Sequence, residues 1–243
     1  MSHPTAFISD IHANLPALQA VLADIASQGV TDIICLGDVV GYGGQPGECI
    51  ELLRERAIPC LKGNHDAMAA GDDSLLAGSS AAARQAIEWT RGVLSFDQRC
   101  WLAELPMTSL HAGFETVHAS LDEPQEWNYV MNVADAGLHF RHQRLPLCFI
   151  GHTHRPAFWV EGESITRDIT SIEAVSSSRR QVINVGSVGQ PRDYDERACY
   201  LLYRPGQQDV WWRRVSYDIP AAQAAIRSAG LPSKLAFRLQ MGQ

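Results

Sequence analysis

The sequence has no run of about 18 consecutive apolar residues, so it predicts no membrane-spanning helix. Its first residues, Met1-Ser2-His3-Pro4, carry neither a basic start nor a long apolar stretch, and no secretory leader is expected. No CxxC pair occurs among the six cysteines, Cys35, Cys49, Cys60, Cys100, Cys148 and Cys199. Cys35, Cys60 and Cys148 sit in short apolar runs, where a free thiol packs as a small hydrophobe. That usage argues against a disulfide framework and for a reducing compartment, so the expected location is the cytoplasm. A basic stripe is missing too. The net charge is −7, and Arg179-Arg180 and Arg213-Arg214 are only short pairs, so no stable nucleic-acid partner is expected. Internal repeats, low-complexity segments and clear linkers are absent. One domain over residues 1–243 is expected, and oligomeric state is left open.

What is present is a good core and a strand–helix rhythm. Hydrophobic residues make up 46% of the chain and charged residues 19%. Thr5 to Ser9 reads as a buried strand. Leu15, Leu18, Val21, Leu22 and Ile25 have helical spacing, closed by Gly29. A strand over 31–36, a helix over 46–56 and a strand over 58–61 follow, the pattern of a mostly parallel sheet. An alanine-rich segment at about 74–104 breaks the rhythm and predicts a helical insertion over the sheet or the site. Residues 108–111 and 115–119 suggest a hairpin around Ala112-Gly113, then a helix over 133–142 and a strand over 146–150. Strands are expected at 157–160, 181–185, 198–203 and 210–215, and a helix at 220–228.

Five short motifs fall at or just after these strands: Asp10-Ile11-His12, Gly37-Asp38, Gly63-Asn64-His65-Asp66, His118, and Gly151-His152-Thr153-His154. Open α/β sheets gather such residues at the carboxyl ends of their strands. Asp10, His12, Asp38, Asn64, His118, His152 and His154 make seven candidate ligands of carboxylate, amide and imidazole type. One ion normally takes three or four protein ligands, so seven suit two ions sharing a carboxylate. Gly37, Gly63 and Gly151 permit the tight turns such a cluster needs. Each residue alone has a plainer reading. Asp10 could cap the helix near Asn14, Asp38 could be a turn residue, Asn64 could stabilise a left-handed turn, and His118 could be a buried structural histidine. His152 and His154, at i and i+2 on a strand, would face the same way. His3, His111, His139 and His142 fit no motif and are read as surface or structural. Trp127 and Tyr129 are open between pocket wall and core.

The motif set, in this order and spread over residues 10–154, resembles that of the calcineurin-like metallophosphoesterases. Asn184-Val185-Gly186-Ser187 is similar to the strand and turn that follow in the small bacterial phosphodiesterase branch. The resemblance implies an α/β fold, a four-layer α-β-β-α sandwich of two mixed sheets flanked by helices. It implies that Asp10, His12 and His154 hold one metal, that Asn64, His118 and His152 hold a second, and that Asp38 bridges them. It makes His65 the catalytic residue that protonates the leaving oxygen, and Asp66 the group that orients the His65 ring. The ions could be Mn, Fe, Zn, Ni or Co.

The sequence departs from the protein phosphatases of the family, whose Gly-Asp-x-x-Asp-Arg-Gly run supplies a phosphate-binding arginine. Here the run is Gly37-Asp38-Val39-Val40-Gly41-Tyr42-Gly43. The loss points to a small phosphodiester or nucleotide substrate, attacked in line by a hydroxide between the metals. Arg192 could supply charge from elsewhere or be a surface ion-pair residue. Gly186 and Ser187 are candidate phosphate donors or a plain turn. The alternatives are a phosphomonoesterase or protein phosphatase, a dinucleoside-polyphosphate hydrolase, and a non-catalytic binding scaffold.

Overall fold

A computed structural model of the chain describes residues 3–163 and 172–243; Met1 and Ser2 of the polar N-terminal run lie outside them. Among the described residues, ten strands form two five-stranded sheets. The first sheet contains β1 (Thr5–Ile8), β2 (Asp32–Cys35), β7 (Ile172–Ala174), β9 (Ala198–Arg204) and β10 (Asp209–Val215), ordered β2-β1-β9-β10-β7. The second contains β3 (Thr108–His111), β4 (Phe114–Val117), β5 (Leu147–Ile150), β6 (Ala157–Val160) and β8 (Gln181–Asn184), ordered β3-β4-β5-β8-β6. β1 runs parallel to β2, and β4, β5 and β8 are mutually parallel, while the remaining pairs are antiparallel. Both sheets are therefore mixed, as expected.

Side chains alternate across each strand, and this alternation sorts the core into layers. Phe7 of β1, Phe149 of β5, Ile183 of β8 and Leu201 of β9 meet between the sheets. Phe7 and Phe149 stack there with centroids 4.0 Å apart. Their neighbours Ala6, Ile8, Cys148 and Ile150 face outward, under helices. Helices α1 (Leu15–Ser27), α2 (Pro46–Glu55) and α5 (Phe96–Glu104) contribute to the layer over the first sheet, and α6 (Val133–His142) covers the second. The result is the four-layer sandwich.

The amphipathic α1 begins at Asn14, whose Oδ1 accepts the Ala17 N–H at 3.2 Å. Asp10 is thus not the cap. The segment over 58–61 is not a full strand. Only Cys60 bridges to Cys35, because Pro59 has no N–H to extend a ladder and offers just its carbonyl to Cys35. A helix not foreseen from the sequence, α3 (Asn64–Ala70), follows at once. Residues 74–104 hold two helices, α4 (Ala81–Val93) and α5, each capped by a serine, Ser80 and Ser95. The C-terminal part adds α7 (Ile219–Ser228), α8 (Ser233–Phe237) and a 3₁₀ turn, Arg238–Met241.

Candidate metal centre

The parallel strands point their carboxyl ends at one edge, and the five motifs leave from there. Asp10 follows β1, Asp38 follows β2, His118 follows β4, and His152 and His154 follow β5. The two sheets are tied at this edge by Asp10. Its Oδ2 accepts the His152 N–H at 3.1 Å, and its carbonyl accepts the Gly189 N–H at 2.9 Å. Asp10, His12, Asp38, His152 and His154 all have φ between 49° and 68°, in the left-handed region. That conformation costs a non-glycine residue on the order of 1 kcal/mol, and strain of this kind concentrates at functional sites. Two glycines admit the crowding. A Cβ on Gly63 would overlap Asp38 Oδ1, and one on Gly151 would overlap Ser9 Oγ and stand 2.6 Å from Asp10 Oδ2.

The ligand-type atoms fall into overlapping clusters, each with atoms within 4.8 Å of one another: Asp10, His12 and His154; Asp38, His118 and His152; and His12, Asp38 and His65. All are buried. His152 and His154 thus join different clusters. They lie in a loop rather than on a strand, so the same-facing reading does not hold. Asp38 stands centrally, with Oδ2 3.6 Å from His12 Nε2 and 3.5 Å from His118 Nε2.

The imidazoles are oriented by their outer nitrogens. His12 Nδ1 donates to the Val40 carbonyl at 3.1 Å, His118 Nδ1 to Leu36 at 2.9 Å, and His154 Nδ1 to Gln190 at 2.6 Å. A neutral ring that donates through Nδ1 keeps a bare lone pair on Nε2. The His12 and His154 Nε2 atoms nonetheless face each other at 3.1 Å. Two facing lone pairs repel unless a cation lies against both. Asp10 Oδ1, Asn64 Oδ1, His118 Nε2 and His152 Nε2 are buried without a hydrogen-bond partner among the described residues. Buried polar atoms of this kind are costly unless something binds them. The donor set therefore fits metal ions.

The electrostatics agree. Burial pushes the Asp10 carboxyl up to about 6. Burial also drives His12 and His154 well below the usual imidazole range and His152 down to about 3, which keeps these rings neutral and able to ligate. Burial opposes charge on Asp38, but the surrounding histidines overcome it and hold Asp38 below the ordinary carboxylate range. Burial likewise opposes charge on His118, yet the Asp38 carboxylate raises it to about 9, a proton filling the place a cation would take.

His65 sits at the rim of this cup. Its N–H donates to Asp38 Oδ1 at 2.8 Å, and its Nδ1 has no partner among the described residues. The expected contact from Asp66 to this ring is absent. Asp66 accepts instead from the backbone N–H groups of Val39, Val40 and Gly63, at 2.9, 3.2 and 3.0 Å. It caps α3 and braces the Asp38 loop. The His65 ring is held by packing: Tyr42 lies 4.4 Å away, His12 4.8 Å, and a Cβ on Gly41 would overlap its Nδ1. Neither contact is predicted from the sequence: the motif comparison reads Tyr42 and Gly43 as the replaced acidic and basic positions, while the residue that crowds the His65 ring beside Tyr42 is Gly41.

Gly186 and Ser187 are also corrected. The Gly186 N–H is taken by Asn184 Oδ1, while the Ser187 hydroxyl donates to the Asp10 carbonyl and accepts the Gln190 N–H. These groups hold the site together and are not free for phosphate. Asn184 Nδ2 fastens the His152 loop through the Gly151 carbonyl and Thr153 Oγ1. Arg192 lies close to the centre, its guanidinium 5.7 Å from the Tyr42 ring centroid, and its charge helps lower His12, His65, His152 and His154. Trp127 is buried against Ala67 and Ala119, whereas Tyr129 is 52% exposed and stacks on His152 at 4.1 Å. His139 is structural, its buried Nδ1 accepting the Leu121 N–H.

Fold and site define a metal-binding α/β sandwich. Residues 4–205 match the calcineurin-like phosphoesterase superfamily domain. The chain belongs to that superfamily. It is 36% identical to an uncharacterized protein of Methanocaldococcus jannaschii, over 98% of both chains. A crystal structure of a metallophosphoesterase from Sphaerobacter thermophilus superposes with a TM-score of 0.89 at 41% identity, covering 100% of each chain. A hypothetical protein from Pyrococcus horikoshii OT3 shares the fold, with a TM-score of 0.81 at 19% identity over 100% of this chain and 99% of its own. The chain is thus a phosphoesterase-family hydrolase with candidate metal-binding residues.

Proposed function

We propose that the protein hydrolyses small phosphodiesters, nucleotides among them, with two transition-metal ions. Asp10, His12 and His154 hold one ion, Asn64, His118 and His152 hold the other, and Asp38 is shared. The observation that carries this reading is the set of buried lone pairs, fixed by outer hydrogen bonds and left facing one another. Manganese, iron, zinc, nickel and cobalt all suit this mixture of ligands. When bound, the ions supply Lewis-acid activation of water and neutralise charge that builds on the phosphoryl oxygens.

The protein's own groups supply the rest. Burial lowers His65 to about 4, so the ring is neutral near pH 7 and has one N–H to offer. It stands beside Asp38 at the cup's rim, where it can bond to a substrate oxygen and give its proton to the leaving oxygen as that oxygen becomes basic. Arg192 adds a cation from the loop after β8. Tyr129 offers an exposed flat face for an aromatic part of the substrate. The diester preference rests on the Gly37–Gly43 loop, where Tyr42 takes the place of a dianion-clamping arginine. Six free cysteines, five of them buried, support a reducing, cytoplasmic setting.

The test is turnover of bis(p-nitrophenyl) phosphate against p-nitrophenyl phosphate, with His65→Ala alongside. Diester turnover should dominate, and His65→Ala should lower kcat by roughly 10²–10⁴ with metal content retained. Dominant monoester turnover would reject the diester preference. An unchanged rate in His65→Ala would remove His65 from the chemistry.

A further inference from the structure

The loop from β4 to α6 leaves the sheet at His118 and holds one exposed ring between buried neighbours. Trp127 is buried against Ala67 and Ala119, its ring centroid 5.9 Å from that of His118. Val130 is buried in the cluster under α6. Asn128 Nδ2 donates to the Asp122 carbonyl at 3.2 Å and draws the loop together. Tyr129 lies within this anchored stretch and is 52% exposed. Its ring nonetheless stacks on buried His152, with centroids 4.1 Å and planes 26° apart. An exposed aromatic side chain alone means little. This one is pinned against a ligand-type imidazole, and its exposure belongs to the face turned away from that imidazole.

Tyr42 is the opposite case. Its ring is hemmed in by His65 at 4.4 Å, His12 at 4.8 Å and the Arg192 guanidinium at 5.7 Å. The two tyrosines also lie against different ligand groups. Tyr42 touches His12, which clusters with Asp10 and His154, and Tyr129 touches His152, which clusters with Asp38 and His118. Among the described residues, Tyr129 has no ring contact with His65.

The chemistry assigns the two ends of a diester to these two sides. Hydrolysis divides the elements of water. The water oxygen joins phosphorus, and the bond from phosphorus to the leaving oxygen breaks with its electron pair on that oxygen. The leaving oxygen takes a proton from His65, which recovers one from the water. It must therefore come within reach of His65, on the Tyr42 side. The second ester bond survives, and its group is the one free to reach Tyr129. We propose that this retained group carries an aromatic ring and that Tyr129, by stacking on it, determines specificity. The substrate class is then a phosphodiester whose retained half ends in a base, as in a nucleoside 5′-phosphate, with a leaving half that needs no ring. This rests on the phosphodiesterase reading and narrows it. A ring fixed in place beforehand gives up little freedom when it binds.

The test compares thymidine 5′-(p-nitrophenyl phosphate) with methyl p-nitrophenyl phosphate on the metal-reconstituted protein. Both release p-nitrophenol, and both retain an alkyl ester, so they differ only in the retained half. The wild type should favour the thymidine diester by about tenfold or more in kcat/KM, chiefly through KM. Tyr129→Ala should bring that ratio below about threefold, and Tyr129→Phe should keep it. Any weakening of His152 as a ligand acts on both substrates and cancels in the ratio. A wild-type ratio near one, or an unchanged ratio in Tyr129→Ala, overturns the inference. Calorimetry with the two products, thymidine 5′-monophosphate and methyl phosphate, reads the same preference without turnover. If both diesters are inert while Tyr129→Ala loses a preference for the nucleotide, the aromatic site stands and the phosphodiesterase reading falls. If the diesters are cleaved without preference, only the role of Tyr129 falls. Inert diesters and no preference between the products overturn both.

Discussion

Gly151→Ala tests how tightly the crowded edge of the sheets controls the centre. The φ of Gly151 is not in the left-handed region, so the substitution adds volume without backbone strain. Where there is room, Gly→Ala stabilises by about 0.4–1 kcal/mol through the unfolded chain. Here there is none. The new Cβ would overlap Ser9 Oγ and stand 2.6 Å from Asp10 Oδ2, against a practical floor of 3.0 Å. Asp10 must therefore retreat by about 0.4 Å or more, when metal–ligand distances tolerate about 0.2 Å. The peptide cannot step back instead, because the His152 N–H is bonded to Asp10 Oδ2 and the Gly151 carbonyl to Asn184. Overpacking of this kind costs about 1–3 kcal/mol. For a chain of this size the expected drop in Tm is roughly 3–10 °C. Metal binding at the proposed Asp10, His12 and His154 set should weaken as well. Thermal denaturation with and without added manganese, plus metal content by mass spectrometry, reads both effects. A Gly151→Ala protein with wild-type Tm and metal content would refute the steric account.

Two other substitutions probe the scaffold. Asp66→Ala removes the acceptor of three backbone N–H groups, so a loss of about 3 kcal/mol is expected in urea denaturation, far more than for His65→Ala; equal, small losses in the two variants would deny Asp66 its bracing role. Asp24 accepts from Nε and Nη2 of Arg213 and from the Tyr200 hydroxyl, and the Arg213 bonds hold its carboxyl below the usual range. A depressed folded pKa gives stability that is complete above the unfolded value of about 3.9 and fades as pH falls through the folded one. Asp24→Asn should therefore cost about 1–2 kcal/mol at pH 7, with the gap closing between about pH 5 and pH 3. A gap that stays constant over that window would contradict the linkage.

The strand–helix order was legible because its signals are local and periodic, whereas the four-layer sandwich followed only from the family resemblance. The α1 stripe of Leu18, Val21, Leu22 and Ile25 is the stripe that is buried, and the apolar runs of β5 and β8 are fully covered strands. The residues gathered at the strand ends were legible as well, since carboxylates and imidazoles after strands have few other reasons to recur. What the sequence hid depends on geometry across the chain. Pro59 cuts short the segment after α2. The Gly63-Asn64-His65-Asp66 run carries two signals at once, since an acidic residue three places after Gly63 also starts α3. Asp66 serves that helix start and the Asp38 loop rather than the His65 ring. His152 and His154 looked like a same-facing pair until their loop conformation sent them to different clusters.

Carboxylate, amide and imidazole groups far apart in sequence would hold two metal ions for phosphoester cleavage. Metal analysis of the purified protein, paired with diester turnover after chelation and after re-metallation, tests this assignment most directly. About two equivalents of transition metal per chain are expected, with turnover lost on chelation and returning when metal is restored. Full turnover by protein stripped of metal would contradict it.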